Sequence, residues 1–159
     1  MFIPGQIISV LTFPGVIVHE FAHLLFCKIR RVPVLDVCYF QFENPAGYVI
    51  HERTDDFTDT FFIAMGPFFV NTLLCLLICF PAFMPISYFD VDHPFSYFLL
   101  WLGVSIGMHA IPSTGDADNI WQQGRQAAKR FDPLAILSLP LVIVIYIVNV
   151  LRIVWADLG

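Results

Sequence analysis

The sequence predicts an all-α membrane protein of one domain over residues 1–159, with four transmembrane helices and a short β-hairpin between the first and second. Hydrophobic residues make up 58% of the chain and charged residues 13%, against roughly 25% charged residues in soluble domains. Four apolar segments reach the ~20 residues that a helix needs to cross the hydrocarbon core. The first is followed by a stretch rich in β-branched and aromatic residues around a turn at 43–47, which is typical of a hairpin.

The four predicted spans cover about residues 2–27, 60–80, 94–112 and 134–155. The second has no charged residue, and the fourth carries only Arg152, near its end. The first is interrupted by His19, Glu20 and His23. It has no basic start and no small-residue cleavage site, so we interpret it as a retained helix rather than a signal peptide.

The connections after the first and third spans are predicted to be structured. Residues 32–50 favour the hairpin, which is apolar enough to enter the membrane interface if protein covers its strand edges. Residues 116–130 predict a short polar helix that starts at an Asp.

The basic residues predict the orientation in the membrane. Seven of the eight Lys and Arg residues lie in these two connections: Lys28, Arg30, Arg31 and Arg53 in the first, and Arg125, Lys129 and Arg130 in the second. The loop near Asp90 and Asp92, between the second and third spans, has none. The positive-inside rule places the basic connections in the cytoplasm. We therefore expect a multi-pass integral membrane protein with both termini on the non-cytoplasmic side.

Charge and cysteine content exclude other classes. A net charge of -5 gives no basic field for nucleic acid, so we expect no nucleic-acid partner. The four Cys residues fit no disulfide framework, and two of them lie in an apolar run, where Cys behaves as a small hydrophobic residue.

Residues 19–23 of the first span read His-Glu-Phe-Ala-His, an HExxH motif. Two His four residues apart lie on one helix face and reach one zinc ion, and the adjacent Glu can take a proton from the attacking water. Ionisable side chains at bilayer depth are costly, about 2.5–3.5 kcal/mol for an acid at the helix centre, and they usually carry function. We predict that His19 and His23 bind zinc and that Glu20 is the general base.

Catalytic zinc normally takes three protein ligands, and the third must lie towards the cytoplasmic side. The end of the third span supplies the best candidates. We favour Asp116, because it directly follows Gly115, where the chain turns freely. Other candidates stay open, namely Asp118 and His109 and, without motif support, His51 and Glu52 at the end of the hairpin.

Taken together, an HExxH motif in the first span, a later break with Pro and Asp, and a β-rich insert between them resemble the site-2 protease family of intramembrane zinc metalloproteases. The family's third ligand is an Asp a few residues beyond an Asn-x-x-Pro, where this chain has His109-x-x-Pro112 and then Asp116. The segment 66–71, Gly-Pro-Phe-Phe-Val-Asn, is similar to the family's Gly-Pro-x-x-Asn but one residue longer. The resemblance covers about residues 7–121 and indicates a divergent, minimal relative.

The resemblance implies an intramembrane zinc endopeptidase that hydrolyses peptide bonds of membrane-embedded protein segments near the cytoplasmic face. We expect His109 or Asn71 to help stabilise the oxyanion, and the hairpin to add the unwound substrate as a strand. The expected partners are the lipid bilayer and a membrane-protein substrate, with a homo-oligomer or a regulatory membrane partner left open. The alternative is a non-proteolytic metal-binding membrane protein, such as a transporter subunit, sensor or degenerate scaffold, because His and acidic residues in spans also line ion pathways.

Overall fold

A computed structural model describes residues 5–89 and 93–158 and shows a mostly helical chain with one small antiparallel sheet. Residues 2–4 of the first predicted span, and Asp90 and Asp92 of the predicted outer loop, lie outside the described residues. The elements in chain order are α1 (Gly5–Leu11), α2 (Phe13–Arg30), β1 (Val34–Cys38), β2 (Tyr48–His51), α3 (Phe57–Phe89), α4 (Pro94–Met108), α5 (Thr114–Ala128) and α6 (Pro133–Leu158).

Among the described residues, two helices are long and apolar enough to cross a membrane, through Phe57–Ser87 of α3 and Pro133–Leu151 of α6. The α4 helix is also apolar but has only 15 residues. At 1.5 Å per residue it is about 22 Å long, shorter than the ~30 Å hydrocarbon core. It ends before Pro112, because the residue that precedes a proline is disfavoured in helical conformation.

The first predicted span consists of two helices rather than one. Thr12 separates α1 from α2, and its N–H donates to the carbonyl oxygen of Ile8 at 2.9 Å. Pro14 follows in the first turn of α2, where its missing N–H costs no hydrogen bond. The Pro14-Gly15 pair therefore starts a new helix. The C-terminal end of α2 is capped by a hydrogen bond from the N–H of Val32 to the carbonyl oxygen of Cys27 at 2.9 Å.

The predicted hairpin is present. Its strands pair antiparallel, with Val37 opposite Val49 and Cys38 opposite Tyr48. The sheet has two strands, so within the described part of the chain the second edge of β2 has no strand partner. Val49 and His51 of this strand line the cavities of the site described below.

Helix packing brings the middle of α2, the end of α4 and the start of α5 together. The α3 helix packs against α2 and α4, and α5 packs against α6 and α3. An ion pair between Arg30 and Asp59 ties the end of α2 to the start of α3. The buried core joins α3, α5 and α6 and comprises Phe57, Ala64, Met65, Ala117, Ile120, Ala135, Val142 and Ile145.

Candidate metal centre

Three potential metal ligands converge between α2 and α5. His19 and His23 lie one helical turn apart on α2, and Asp116 lies in the first turn of α5, with ligand atoms all within 4.8 Å of one another. The two Nε2 atoms are 3.2 Å apart, and the Nε2 of His23 lies 3.5 Å from Oδ2 of Asp116. Zinc bonds of about 2.0–2.1 Å in a tetrahedron separate neighbouring ligands by about 3.3–3.4 Å. Two of the three separations therefore match a tetrahedral zinc ion, and the third, between His19 and Asp116, is at most 4.8 Å.

The hydrogen bonds of the two imidazoles set their tautomers. The Nδ1 of His19 lies 2.7 Å from the carbonyl oxygen of His109, and the Nδ1 of His23 lies 2.9 Å from that of Ile63. Carbonyl oxygens only accept, so both Nδ1 atoms carry the proton and both Nε2 atoms of the neutral rings present lone pairs. Metal-binding His residues are typically oriented by such backbone carbonyls.

Two imidazole lone pairs and a carboxylate at these distances repel one another unless positive charge lies between them. A proton on His23 would relieve only the repulsion between His23 and Asp116. A divalent cation satisfies all three groups at once. The donor set is also one that zinc accepts, because His nitrogen and Asp oxygen are common zinc ligands.

The local sequence of α5 fixes the carboxylate of Asp116. Ser113 is the N-cap, and its N–H and hydroxyl donate to Oδ2 of Asp116 at 2.9 and 2.7 Å, while the N–H of Asp116 donates back to the Ser113 hydroxyl at 3.1 Å. Burial alone would raise the pKa of the carboxyl, but the electrostatic interaction and hydrogen bond with His23, the interaction with His19 and the hydrogen bond from Ser113 outweigh burial and lower the pKa to about 2. Asp116 is therefore ionised and attracts a cation.

The centre opens into a cavity of about 420 Å³ bounded by α2, the hairpin and the start of α5. Glu20 lines this cavity beside His19 and is buried, with only 8% of its surface exposed. No described residue donates a hydrogen bond to its carboxylate, so the carboxylate can accept one from a molecule in the cavity. The hairpin lies directly over it, since a Cβ added at Gly47 would be 2.7 Å from Cγ of Glu20.

A second cavity of about 400 Å³ lies between β2, α3 and α5. Both cavities are lined by Val49, His51, Asp116 and Asn119. Residues of β2 thus line two adjoining cavities, which together form the cleft beside the candidate metal ligands.

His109 holds the centre through its backbone. Its carbonyl oxygen accepts from the imidazole of His19, as described above, and from the side-chain amide of Asn71 at 3.3 Å. Its ring lines the cavity, and Nε2 lies 2.8 Å from the hydroxyl of Thr12. That hydroxyl donates to Ile8 at 2.6 Å, so it accepts from His109. The ring of His109 is outside the group of three ligands.

Asn71 is fully buried and does not line either cavity. Its amide nitrogen lies 3.1 Å from the carbonyl oxygen of Ile106 and 3.4 Å from that of Gly15. It therefore joins α3 to the backbones of α2 and α4. The expected contribution of Asn71 or His109 to oxyanion stabilisation stays a prediction.

The remaining candidates for the third ligand are not part of the group that His19 and His23 form. Asp118 is exposed and accepts a hydrogen bond from the hydroxyl of Tyr146. The ring of His51 lies 2.8 Å from the carbonyl oxygen of Glu52. Within the described part of the chain, Asp116 alone joins His19 and His23 in a metal-binding group.

Sequence reasoning missed several residues that build the centre. Ser113 could have been identified from the sequence, because Ser-x-x-Asp resembles a capping box. As a result of this cap, α5 starts at Thr114 rather than at Asp116. Tyr146 and Asn149 could also have been identified, because they are polar residues within the apolar fourth span. The carbonyl groups of Ile63 and His109 had no signal, because every residue has one.

Comparisons of the chain with protein-family models, with curated proteins and with solved structures found no match. The resemblance to site-2 proteases therefore depends on the motifs of the chain itself.

Proposed function

We propose that this chain is an intramembrane zinc-dependent endopeptidase that hydrolyses peptide bonds of membrane-embedded protein segments near the cytoplasmic face. One observation supports this most: the atoms of His19, His23 and Asp116 converge in a cavity that also contains Glu20 and lies under a β-hairpin. This set supplies three metal ligands, a base and a place for an extended peptide.

The proposed membrane arrangement is multi-pass, with four spans and both termini on the non-cytoplasmic side. α3 and α6 are long enough to cross alone, and we propose that α1 with α2, and α4 with the irregular segment 109–113, form the other two crossings. Irregular backbone is tolerated at membrane depth only where protein satisfies its polar groups. That condition is met here, because the carbonyl oxygen of His109 accepts from Asn71 and that of Pro112 accepts from Asn149.

A bound zinc ion would act as a Lewis acid that activates water and polarises the scissile carbonyl group. His19, His23 and Asp116 would hold it, and the carbonyl groups of His109 and Ile63 keep the two imidazoles in the tautomer that presents Nε2.

Glu20 would be the proton carrier of the reaction. Its carboxylate takes a proton from the attacking water, whose oxygen bonds to the scissile carbonyl carbon. The C–N bond then breaks, and the proton passes from Glu20 to the leaving nitrogen. One water is consumed for each peptide bond cleaved.

The hairpin provides a way to present an extended substrate. A substrate helix satisfies its own backbone hydrogen bonds, so it must unwind before the scissile bond becomes accessible. The free edge of β2 offers replacement hydrogen bonds by strand addition. Because the turn at Gly47 contacts Glu20, a strand added there would pass close to the base.

The proposal is tested with the wild type, Glu20→Gln and a matched control, Glu43→Gln, which makes the same change at an exposed position of the hairpin turn. Each purified protein is reconstituted in liposomes with a set of labelled transmembrane peptides, and bound zinc and cleavage are both measured. We expect zinc in all three proteins and a loss of cleavage of about 10²–10⁴-fold in Glu20→Gln alone, the usual contribution of a general base.

Two results would contradict the proposal: full cleavage by Glu20→Gln, or a wild type that binds no zinc. Zinc binding and zinc flux into the liposomes, with no cleavage of any peptide, would favour the non-proteolytic alternative.

A further inference from the structure

Tyr146 and Asn149 are two polar side chains in the largely apolar helix α6. Tyr146 and Asn149 lie one turn apart, within the stretch of α6 that is long and apolar enough to cross a membrane. Polar side chains in such a helix are costly and usually carry function. Neither residue lines the cavity of the metal centre or its extension, so neither contacts a substrate bound there.

Both side chains contact the segment that carries Asp116. The amide of Asn149 donates to the carbonyl oxygen of Pro112 at 3.1 Å, and the hydroxyl of Tyr146 donates to Oδ1 of Asp118. One contact lies before Asp116 in the sequence and the other after it. Asn149 is buried, with 9% of its surface exposed, so loss of its hydrogen bond would leave the Pro112 carbonyl without this donor.

From this arrangement we infer that Tyr146 and Asn149 are positioning residues that set the place of the third metal ligand. The inference rests on the proposed metal centre. His19 and His23 share one helix, so α2 fixes their separation, whereas Asp116 comes from a different helix. Apolar packing of α5 on α6 holds the two helices together, but apolar contacts are not directional. The two hydrogen bonds add directional restraints at both ends of residues 112–118.

The test uses Asn149→Leu, which keeps the side-chain shape, and Tyr146→Phe, which removes only a hydroxyl. The matched control is Ser138→Ala, because Ser138 is a buried polar residue of α6 that bonds within its own helix, to Ala135 at 2.8 Å. The zinc dissociation constant is measured in detergent by chelator competition. The visible spectrum of each protein saturated with cobalt then reports the geometry of the ligands, independently of peptidase activity.

We expect Asn149→Leu to weaken zinc binding by about tenfold and the double variant by more, within the 10–100-fold typical of residues that orient metal ligands. The cobalt spectra of both should differ from the wild-type spectrum, whereas Ser138→Ala should match the wild type in both measurements. A merely destabilising role would lower thermal stability but leave the spectrum at saturating cobalt unchanged.

Wild-type affinity and spectrum in Tyr146→Phe, Asn149→Leu and the double variant would overturn the inference while the proposed function stands. If the wild type itself binds no zinc, the proposed function fails and the inference fails with it. Tyr146→Phe keeps the test decisive if Asn149→Leu does not fold, because removing one hydroxyl preserves the packing of α6.

Discussion

Replacing Asp116 by Asn tests the metal centre at the ligand that was hardest to choose from sequence. Asn keeps the size of the side chain and still accepts from Ser113, so the cap of α5 is preserved. What is lost is the negative charge, the only formal charge among the three ligands.

The size of the effect follows from the number of ligands. Structural zinc sites with four ligands bind with about 10–16 kcal/mol, or about 3–4 kcal/mol for each ligand. At 1.4 kcal/mol for each factor of ten, replacing a charged ligand by a neutral one should weaken zinc binding by about 10²–10³-fold. Asp118→Asn, whose amide oxygen can still accept from the hydroxyl of Tyr146, should have a smaller effect. Asp55→Asn, at an exposed position outside the cleft, should have none.

The measurement is the zinc dissociation constant of each detergent-solubilised protein at neutral pH, with circular dichroism to confirm that helicity is retained. The expected order of the losses is Asp116→Asn, then Asp118→Asn, then Asp55→Asn. An unchanged constant in Asp116→Asn, or a larger loss in Asp118→Asn, would refute the assignment of the third ligand.

Two further predictions concern the support of the centre and its pH dependence. Gly15→Ala should lower the midpoint of thermal unfolding and weaken zinc binding, because its Cβ would lie 2.0 Å from the carbonyl oxygen of Ser105, an overpacking that costs about 1–3 kcal/mol or more. Gly115→Ala is the control, since the nearest atom to its Cβ is 3.6 Å away; equal unfolding midpoints would contradict this reasoning. Because the pKa of Asp116 is lowered to about 2 from 3.8, its charge is present above pH 3.8 and is lost only as pH falls towards 2. Zinc released on mild acidification should therefore reflect protonation of the imidazoles. Bound zinc measured across a pH series should therefore be lost well above pH 2, and retention of zinc down to pH 2 would contradict this.

The helical architecture and the hairpin were predictable because they depend on composition and short-range pattern. The residues at which the helices begin and end were harder to predict. The apolar run of the second predicted span begins at Thr60, but α3 starts at Phe57, because Oδ1 of Asp56 accepts from the N–H of Thr58 at 2.8 Å and stabilises the extra turn. The first span was predicted as one continuous segment over residues 2–27. A proline in the first turn marks a helix start, and in the structure Pro14 lies in the first turn of α2.

The ligands differ in how far sequence could identify them. His19 and His23 follow from their spacing, because a helix places residues four apart on one face. Asp116 depends on where α5 packs, and sequence left it beside Asp118 and His109. The packing of α5 on α6 then directs Asp118 towards Tyr146 and Asp116 towards the imidazoles.

The break at the end of α4 and the metal centre depend on the same few polar residues. Irregular backbone needs hydrogen-bond donors that lipid cannot supply, and those donors come from His19, Asn71 and Asn149. His19 is itself a proposed metal ligand, and Asn71 donates to the carbonyl group that orients this imidazole. The third anchors the segment that carries Asp116. In a chain with only 13% charged residues, the side chains that make the break tolerable are thus also the ones that build the proposed metal centre.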